Sequence, residues 1–161
     1  MTIGFILNGE DVSVRMDADI RLIDILRKNF PVTGAKAGCL SGRCGACAVI
    51  FNGAVTKSCL IPAFRVNGSE IITIEGFSQN DEYQDVIQGF EQAGVEMCGY
   101  CDAGKILAVE ALLSRNPRPL RQDILVGFKG IKCRCTEPES LVNGVLAAAD
   151  LRQRRRYGRS S

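Results

Sequence analysis

Ten residues, GCLSGRCGAC at 38–47, hold Cys39, Cys44 and Cys47 among Gly38, Gly42 and Gly45. Cys59 follows in SCL, Cys98 and Cys101 in CGYC, and Cys133 and Cys135 in IKCRC. That makes eight cysteines in 161 residues, without a single histidine. Thiolates bind soft metals and iron–sulfur clusters, or oxidise to disulfides. The missing histidine excludes Ser–His–Asp and Cys–His hydrolase arrangements, His-ligated zinc or haem, and the Rieske cluster. The opening MTIGFILNGEDV has no basic n-region and no small-residue cleavage site, so a cytoplasmic chain is expected. In that reducing compartment the cysteines read as metal ligands rather than disulfides.

Their spacing separates two sets. Cys39, Cys44 and Cys47 form C-x4-C-x2-C, and Cys59 follows after eleven residues. This is the plant-type [2Fe–2S] spacing. Two irons bridged by sulfides need four thiolates on a closely wrapped loop, and the three glycines permit positive φ and near approach of backbone N–H groups to sulfur. Those N–H groups favour the reduced, more negative state and help set the potential. The second set, Cys98, Cys101, Cys133 and Cys135, is C-x2-C, 31 residues, then C-x-C. Taken alone it suits zinc as well as iron. Each pair is expected at a helix N-terminus, whose dipole would face a negatively charged cluster. Asp102 can cap one helix. Thr136 and Glu139 form a T-x-x-E capping box for the other, with Pro138 in its first turn.

The elements that must position these cysteines change type along the chain. IGFILNGEDVSVRM and AVIFNGAV each place Asn-Gly between apolar runs, a hairpin signal. DIRLIDILRKN has helical spacing with Asp19 as N-cap, and EIITIEG alternates as a closing strand. FSQNDE (77–82) reads as a linker. Helices are then expected in YQDVIQGFEQAG, AGKILAVEALLSRN, LRQDILVGF and ESLVNGVLAAADLRQ, with Pro117 and Pro119 between the second and third. The expected organisation is therefore a small α+β domain over 1–76, a four-helix domain over 83–151 and a basic tail over 152–161. That tail, RQRRRYGRSS, reads as a solvated terminus or as a docking element for an acidic surface. A hydrophobic content of 46% supports a sizeable core, a net charge of +2 argues against nucleic acid, and no apolar run would span a membrane.

From about residue 3 to residue 150, the motifs KAGCLSGRCGACAVIFNG, SCL, CGYC and CRCT resemble the small iron–sulfur subunit of the molybdenum hydroxylases, the xanthine dehydrogenase and aldehyde oxidoreductase family. The resemblance implies a β-grasp plant-type ferredoxin domain followed by an all-α four-helix bundle with a pseudo-twofold, each holding one [2Fe–2S] cluster. Cys39, Cys44, Cys47 and Cys59 would hold the cluster on the flavin side. Cys98, Cys101, Cys133 and Cys135 would hold the one on the molybdopterin side, with Cys135 nearest the pterin. Electrons would pass between a molybdopterin-binding large subunit and an FAD-binding medium subunit, or an external acceptor. The assembly would be a hetero-oligomer, with a dimer of heterotrimers as one form it could take.

Three positions depart from the family pattern. Met97 stands where a pterin-contacting Gln is usual, Asp102-Ala103 replace Thr-Pro, and Glu137-Pro138 replace Gly-Tyr. All three lie around the second cysteine set. They point to an altered pterin contact and an atypical large subunit, while the negative charge of Asp102 would lower the cluster's potential if it faces inward. Met97 also suits plain core packing. Arg134 suits charge balance or solvent, and Lys36 suits the surface. Two other functions fit the cysteines: a stand-alone two-cluster ferredoxin, which would behave as a monomer, and a zinc-stapled interaction module, which would be colourless.

Overall fold

The computed structural model of the chain describes residues 1–129, 131 and 136–158. Cys133, Arg134 and Cys135 lie outside the described residues.

Two Asn-Gly turns build the sheet. Asn8 and Gly9 adopt φ of 50° and 86°, Asn52 and Gly53 48° and 85°, the paired left-handed values of a type I′ hairpin. The first turn joins β1 (Thr2–Leu7) to β2 (Glu10–Arg15), the second β3 (Ala48–Phe51) to β4 (Ala54–Lys57). β5 (Glu70–Ile72) lies parallel to β1 and antiparallel to β3, giving the order β2-β1-β5-β3-β4. The strand expected in EIITIEG ends early. The Asn8 side chain accepts the Thr73 N–H at 2.8 Å and donates to its hydroxyl at 2.9 Å, which takes Thr73 out of the ladder. α2 (Ile74–Phe77) begins there.

α1 (Leu22–Asn29) also starts later than Asp19 would allow. The backbone around Arg21 is paired with the chain near Pro62 instead: the Ile20 carbonyl accepts the Ala63 N–H and the Leu22 N–H donates to Ile61, each at 2.8 Å. α1 buries Leu22, Ile23, Ile25 and Leu26 against Ile3, Phe5, Val49 and Ile71 of the sheet.

The opposite face of β3 and β5 belongs to a second core. Strand alternation sends Ala48, Ile50 and Ile72 to the side away from α1, where they join Phe77, Val86, Phe90, Leu107, Val109 and Val145. The helices there are α3 (Asp81–Ala93), α4 (Asp102–Arg115), α5 (Arg121–Gly127) and α6 (Pro138–Tyr157). α4 packs across β3 and β4, while α3 packs along α6. That last approach needs glycine: a methyl on Gly89 would sit 2.5 Å from the Ala148 nitrogen. The expected linker is cut short, because buried Phe77 ends α2 and stacks edge-on with Tyr83, centroids 6.3 Å apart.

α6 continues to Tyr157, so the first arginines of the basic segment are helical. The acidic surface they dock on is the chain's own, made by Glu82 and Asp85 of α3 and Glu110 of α4. Arg152, 2% exposed, donates to Glu110 at 2.7 Å and lies 3.6 Å from Asp85. Arg155 clamps Asp85 through Nε at 3.1 Å and Nη2 at 2.8 Å. The capping box expected at the start of α6 does not form. Its N-cap is Glu137 with no side-chain bond, the Thr136 hydroxyl is taken by Lys105 and the Glu96 carbonyl, and Glu139 pairs with Arg121. Arg152→Ala leaves Asp85 and Glu110 short of a buried partner and is expected to cost about 3–5 kcal/mol. Arg154→Ala breaks only the exposed i,i+4 pair with Asp150 and is expected to cost about 0.5 kcal/mol or less. Urea unfolding of the two variants checks the contrast.

Residues 33–35, which lead into the first cysteine loop, are held from two sides. Arg27 Nη1 donates to the Thr33 and Ala35 carbonyls, each at 2.9 Å. The Glu75 carboxylate accepts the N–H groups of Thr33 at 3.0 Å and Gly34 at 2.7 Å. Burial alone would raise the Glu75 pKa, but the Thr73 hydroxyl and the Gly34 and Thr33 N–H groups outweigh it and hold the carboxyl below its ordinary value. A depressed folded pKa stabilises the fold above the unfolded pKa, about 4.3, and that contribution is lost as pH falls through the folded value. The unfolding free energies of wild type and Glu75→Gln should therefore differ most near neutral pH. The gap should close as the carboxylate protonates, which urea titrations across the acidic range would follow.

Candidate metal centres

The hairpin register brings the last cysteine of the first set home. Ala48 pairs with Lys57, so Cys47 and Ser58 leave the β3–β4 ladder side by side. Buried Ser58 then binds the Cys47 carbonyl twice, through N–H at 3.2 Å and hydroxyl at 2.6 Å. The short 3₁₀ turn Ser58–Leu60 carries Cys59 back against Cys47. Eleven intervening residues thus become a closed loop rather than a spacer.

The rest of the site is a backbone wrap. Leu40, Gly42 and Gly45 take φ of 54°, 78° and 75°, and these left-handed residues turn successive N–H groups inward. Cys39 Sγ accepts from Arg43 at 3.2 Å, Cys44 at 3.3 Å and Ser41 at 3.4 Å, and Cys44 Sγ accepts from Ala46 at 3.5 Å. The Ser41 hydroxyl, then the backbone N–H groups of Ser41, Cys44 and Arg43, hold the Cys39 thiol down at about 5. Cys59 is pushed up to about 11, first by burial and then by its contact and like-charge repulsion with Cys47. Sulfur ligands bind metal as thiolates, so a centre held here would have to displace the Cys59 proton. A methyl on Gly38 would lie 2.7 Å from Cys44 Sγ, so the wrap has room for sulfur and no side chain. Cys39, Cys44, Cys47 and Cys59 fit a sulfur-bound metal centre.

The described part of the second set lies just before α4. Gly99, at φ 85°, turns the CGYC loop. Cys98 is exposed and Cys101 buried, and their sulfurs and an Asp102 carboxylate oxygen all lie within 4.8 Å of one another. Asp102 does not cap α4; Cys101 is the N-cap, and Asp102 Oδ1 is buried without a hydrogen-bond partner among the described residues. Met97 packs on the helical core. The donors present suit a thiophilic metal, with Cys133 and Cys135 outside the described residues.

The two cysteine loops touch. A methyl on Gly38 would stand 3.4 Å from the Tyr100 hydroxyl, and one on Gly104 would overlap the Gly45 carbonyl. Sequence reading overlooked Tyr100, Ser58 and Lys105. Lys105 was detectable as a charged residue at i, i+4, i+7 spacing from Val109 and Leu112 on an apolar face. It is fully buried, and its ammonium donates to Thr136 Oγ1 at 2.6 Å and to the Glu96 carbonyl at 3.4 Å.

Comparison with known proteins agrees with this geometry. Residues 73–146 match the [2Fe-2S] binding domain family. The nicotinate dehydrogenase small FeS subunit of Eubacterium barkeri is 43% identical over 136 residues, covering 84% of this chain and 87% of that protein. The aldehyde oxidoreductase of Megalodesulfovibrio gigas is 37% identical over 89% of this chain, which corresponds to 16% of that longer protein. A chain of quinoline 2-oxidoreductase from Pseudomonas putida 86 superposes with a TM-score of 0.84 at 32% identity, covering 98% of this chain and 97% of that one. Likeness of that extent, in sequence and in fold, makes this chain a member of the family its cysteine motifs resemble, the small iron–sulfur subunits of the molybdenum hydroxylases.

Proposed function

We propose that the chain is the electron-transfer subunit of a molybdenum hydroxylase-type oxidoreductase with two [2Fe–2S] sites in series. The observation that carries the reading is the first site, where inward N–H groups surround Cys39 in the loop that also holds Cys44, and the hairpin end carries Cys59 back against Cys47. Cys39, Cys44, Cys47 and Cys59 would hold the flavin-side cluster, and Cys98, Cys101, Cys133 and Cys135 the molybdopterin-side one. Each cluster supplies a one-electron step. The chain's own groups do the rest. N–H donors on Cys39 and Cys44 favour the more negative reduced state, burial of Cys47 and Cys59 keeps water from the sulfurs, and the contact of Tyr100 with Gly38 keeps the two loops adjacent.

Helices α3 to α6 are read as the four-helix bundle of the second site, spanning 83–151, with 1–76 as the ferredoxin domain. α4 begins directly after Cys101 and α6 three residues after Cys135, so two helix N-termini would face the anionic cluster. The partners are a molybdopterin-binding large subunit and an FAD-binding medium subunit in a hetero-oligomer. Support comes from relatives that are subunits of nicotinate and xanthine dehydrogenases and from the aldehyde oxidoreductase, where the matching stretch is part of a longer protein. No helix among the described residues is long and apolar enough to cross a membrane.

Iron and acid-labile sulfide, quantified with EPR of the dithionite-reduced protein, test the reading. Two S = 1/2 signals with about four irons and four sulfides per chain are expected. Cys47→Ser should remove one signal and Cys101→Ser the other, each halving the iron. Copurification with larger chains is expected too. A colourless zinc protein would sink the proposal, and a two-signal protein that purifies as a monomer would make the chain a free ferredoxin.

A further inference from the structure

The geometry points to Lys105 as the buried counter-charge of the second cysteine site and the tie between its two halves. This rests on the reading that Cys98, Cys101, Cys133 and Cys135 hold a cluster. Lys105 is one helical turn beyond Cys101, whose carbonyl accepts its N–H at 3.1 Å. Its ammonium donates to the hydroxyl of Thr136, the residue bonded to Cys135, at 2.6 Å. It also donates to the carbonyl of Glu96, two residues before Cys98, at 3.4 Å. The Thr136 hydroxyl donates to that same carbonyl and closes the triangle. One side chain thus joins the segment entering the first cysteine pair to the segment leaving the second, 40 residues apart in sequence. Both segments must meet for the four sulfurs to share a centre.

Charge gives the lysine its second role. A cluster held by thiolates gains one negative charge on reduction, and a nearby cation in a low-dielectric interior favours that state. Lys105 is fully buried, so its field is little screened by water. An apolar side chain would fill the same helix face without the desolvation cost of an ammonium. The Asp102 side chain, with an oxygen within 4.8 Å of the Cys98 and Cys101 sulfurs, places a further polar group beside the same site. Lys105 is therefore a positioning residue: it touches the flanks of the site and sets its potential through them.

The test is an EPR-monitored redox titration of the purified complex carrying the full chain, with Lys105→Gln, Lys105→Met and Lys105→Arg compared with wild type. Glutamine keeps a donor for Thr136 and loses the charge. Arginine keeps both, and a cavity of about 190 Å³ bordered by Lys105, Ile124, Phe128, Ile131, Thr136 and Leu141 can take its larger head. Glutamine and methionine should each lower the midpoint of the second signal by at least a tenfold change in its reduction equilibrium, about 59 mV for one electron. Arginine should hold it near wild type, and the first signal should not move in any variant. Should methionine prevent assembly of the second cluster, the glutamine and arginine midpoints carry the comparison. A glutamine midpoint equal to wild type, or an arginine midpoint as low as the glutamine one, overturns the inference. A wild-type complex with one signal overturns the two-cluster reading, and this inference with it.

Discussion

Like-charged sulfurs repel, and the first half of the molecule is organised around bringing them together regardless. The opposed behaviour of two thiols shows the conflict. Cys39, under three inward N–H groups, ionises readily, whereas Cys59, buried beside Cys47, resists. The fold holds the sulfurs close through features that owe nothing to sulfur. These are a type I′ hairpin whose register sets Cys47 beside Ser58, and a buried serine hydroxyl on the Cys47 carbonyl. Arg27 and Glu75 grip residues 33–35 from either side. A cationic centre bound among these sulfurs would relieve that repulsion.

The second half is coupled to this site through the sheet. β3 sends Val49 towards α1, and Ala48 and Ile50 towards α4, so one short strand serves two cores. The helices close on each other through small residues, with Gly89 on Ala148, and are locked at their far end by Arg152 and Arg155 around Asp85. That ionic lock is dearly desolvated, which makes it a weak source of net stability and a strong constraint on which helix faces meet.

Much of this was legible from residue order. Asn-Gly between apolar runs announced both hairpins, and the C-x4-C-x2-C spacing announced the wrap and its glycines. Helical spacing announced α3, α4, α5 and α6 to within a few residues. What escaped were choices made by tertiary competition. Thr136 looked like an N-cap until Lys105 claimed its hydroxyl. Asp19 looked like another until the chain at Pro62 paired with Arg21. The arginines of the last segment looked solvated because their partners are distant in sequence: Glu110 on α4 is 42 residues from Arg152, and Asp85 on α3 is 70 residues from Arg155. Local sequence rules rank the options at each position, but they cannot see a partner that only folding supplies.

Consider finally the contact of the two cysteine loops. Gly38 is met by the side chains of Cys44 and Tyr100, whereas Gly104, in the first turn of α4, meets the Gly45 carbonyl of the first loop, main chain against main chain. Most interfaces drift under substitution, because one side chain can shrink while its neighbour grows. At Gly104 there is no side chain to exchange, and the smallest available change, a single methyl, already overlaps backbone. The spacing between α4 and the first loop is therefore insulated from gradual adjustment. It behaves as an all-or-none property of the molecule, and adaptation to different partners must proceed on the outward surfaces of the loops.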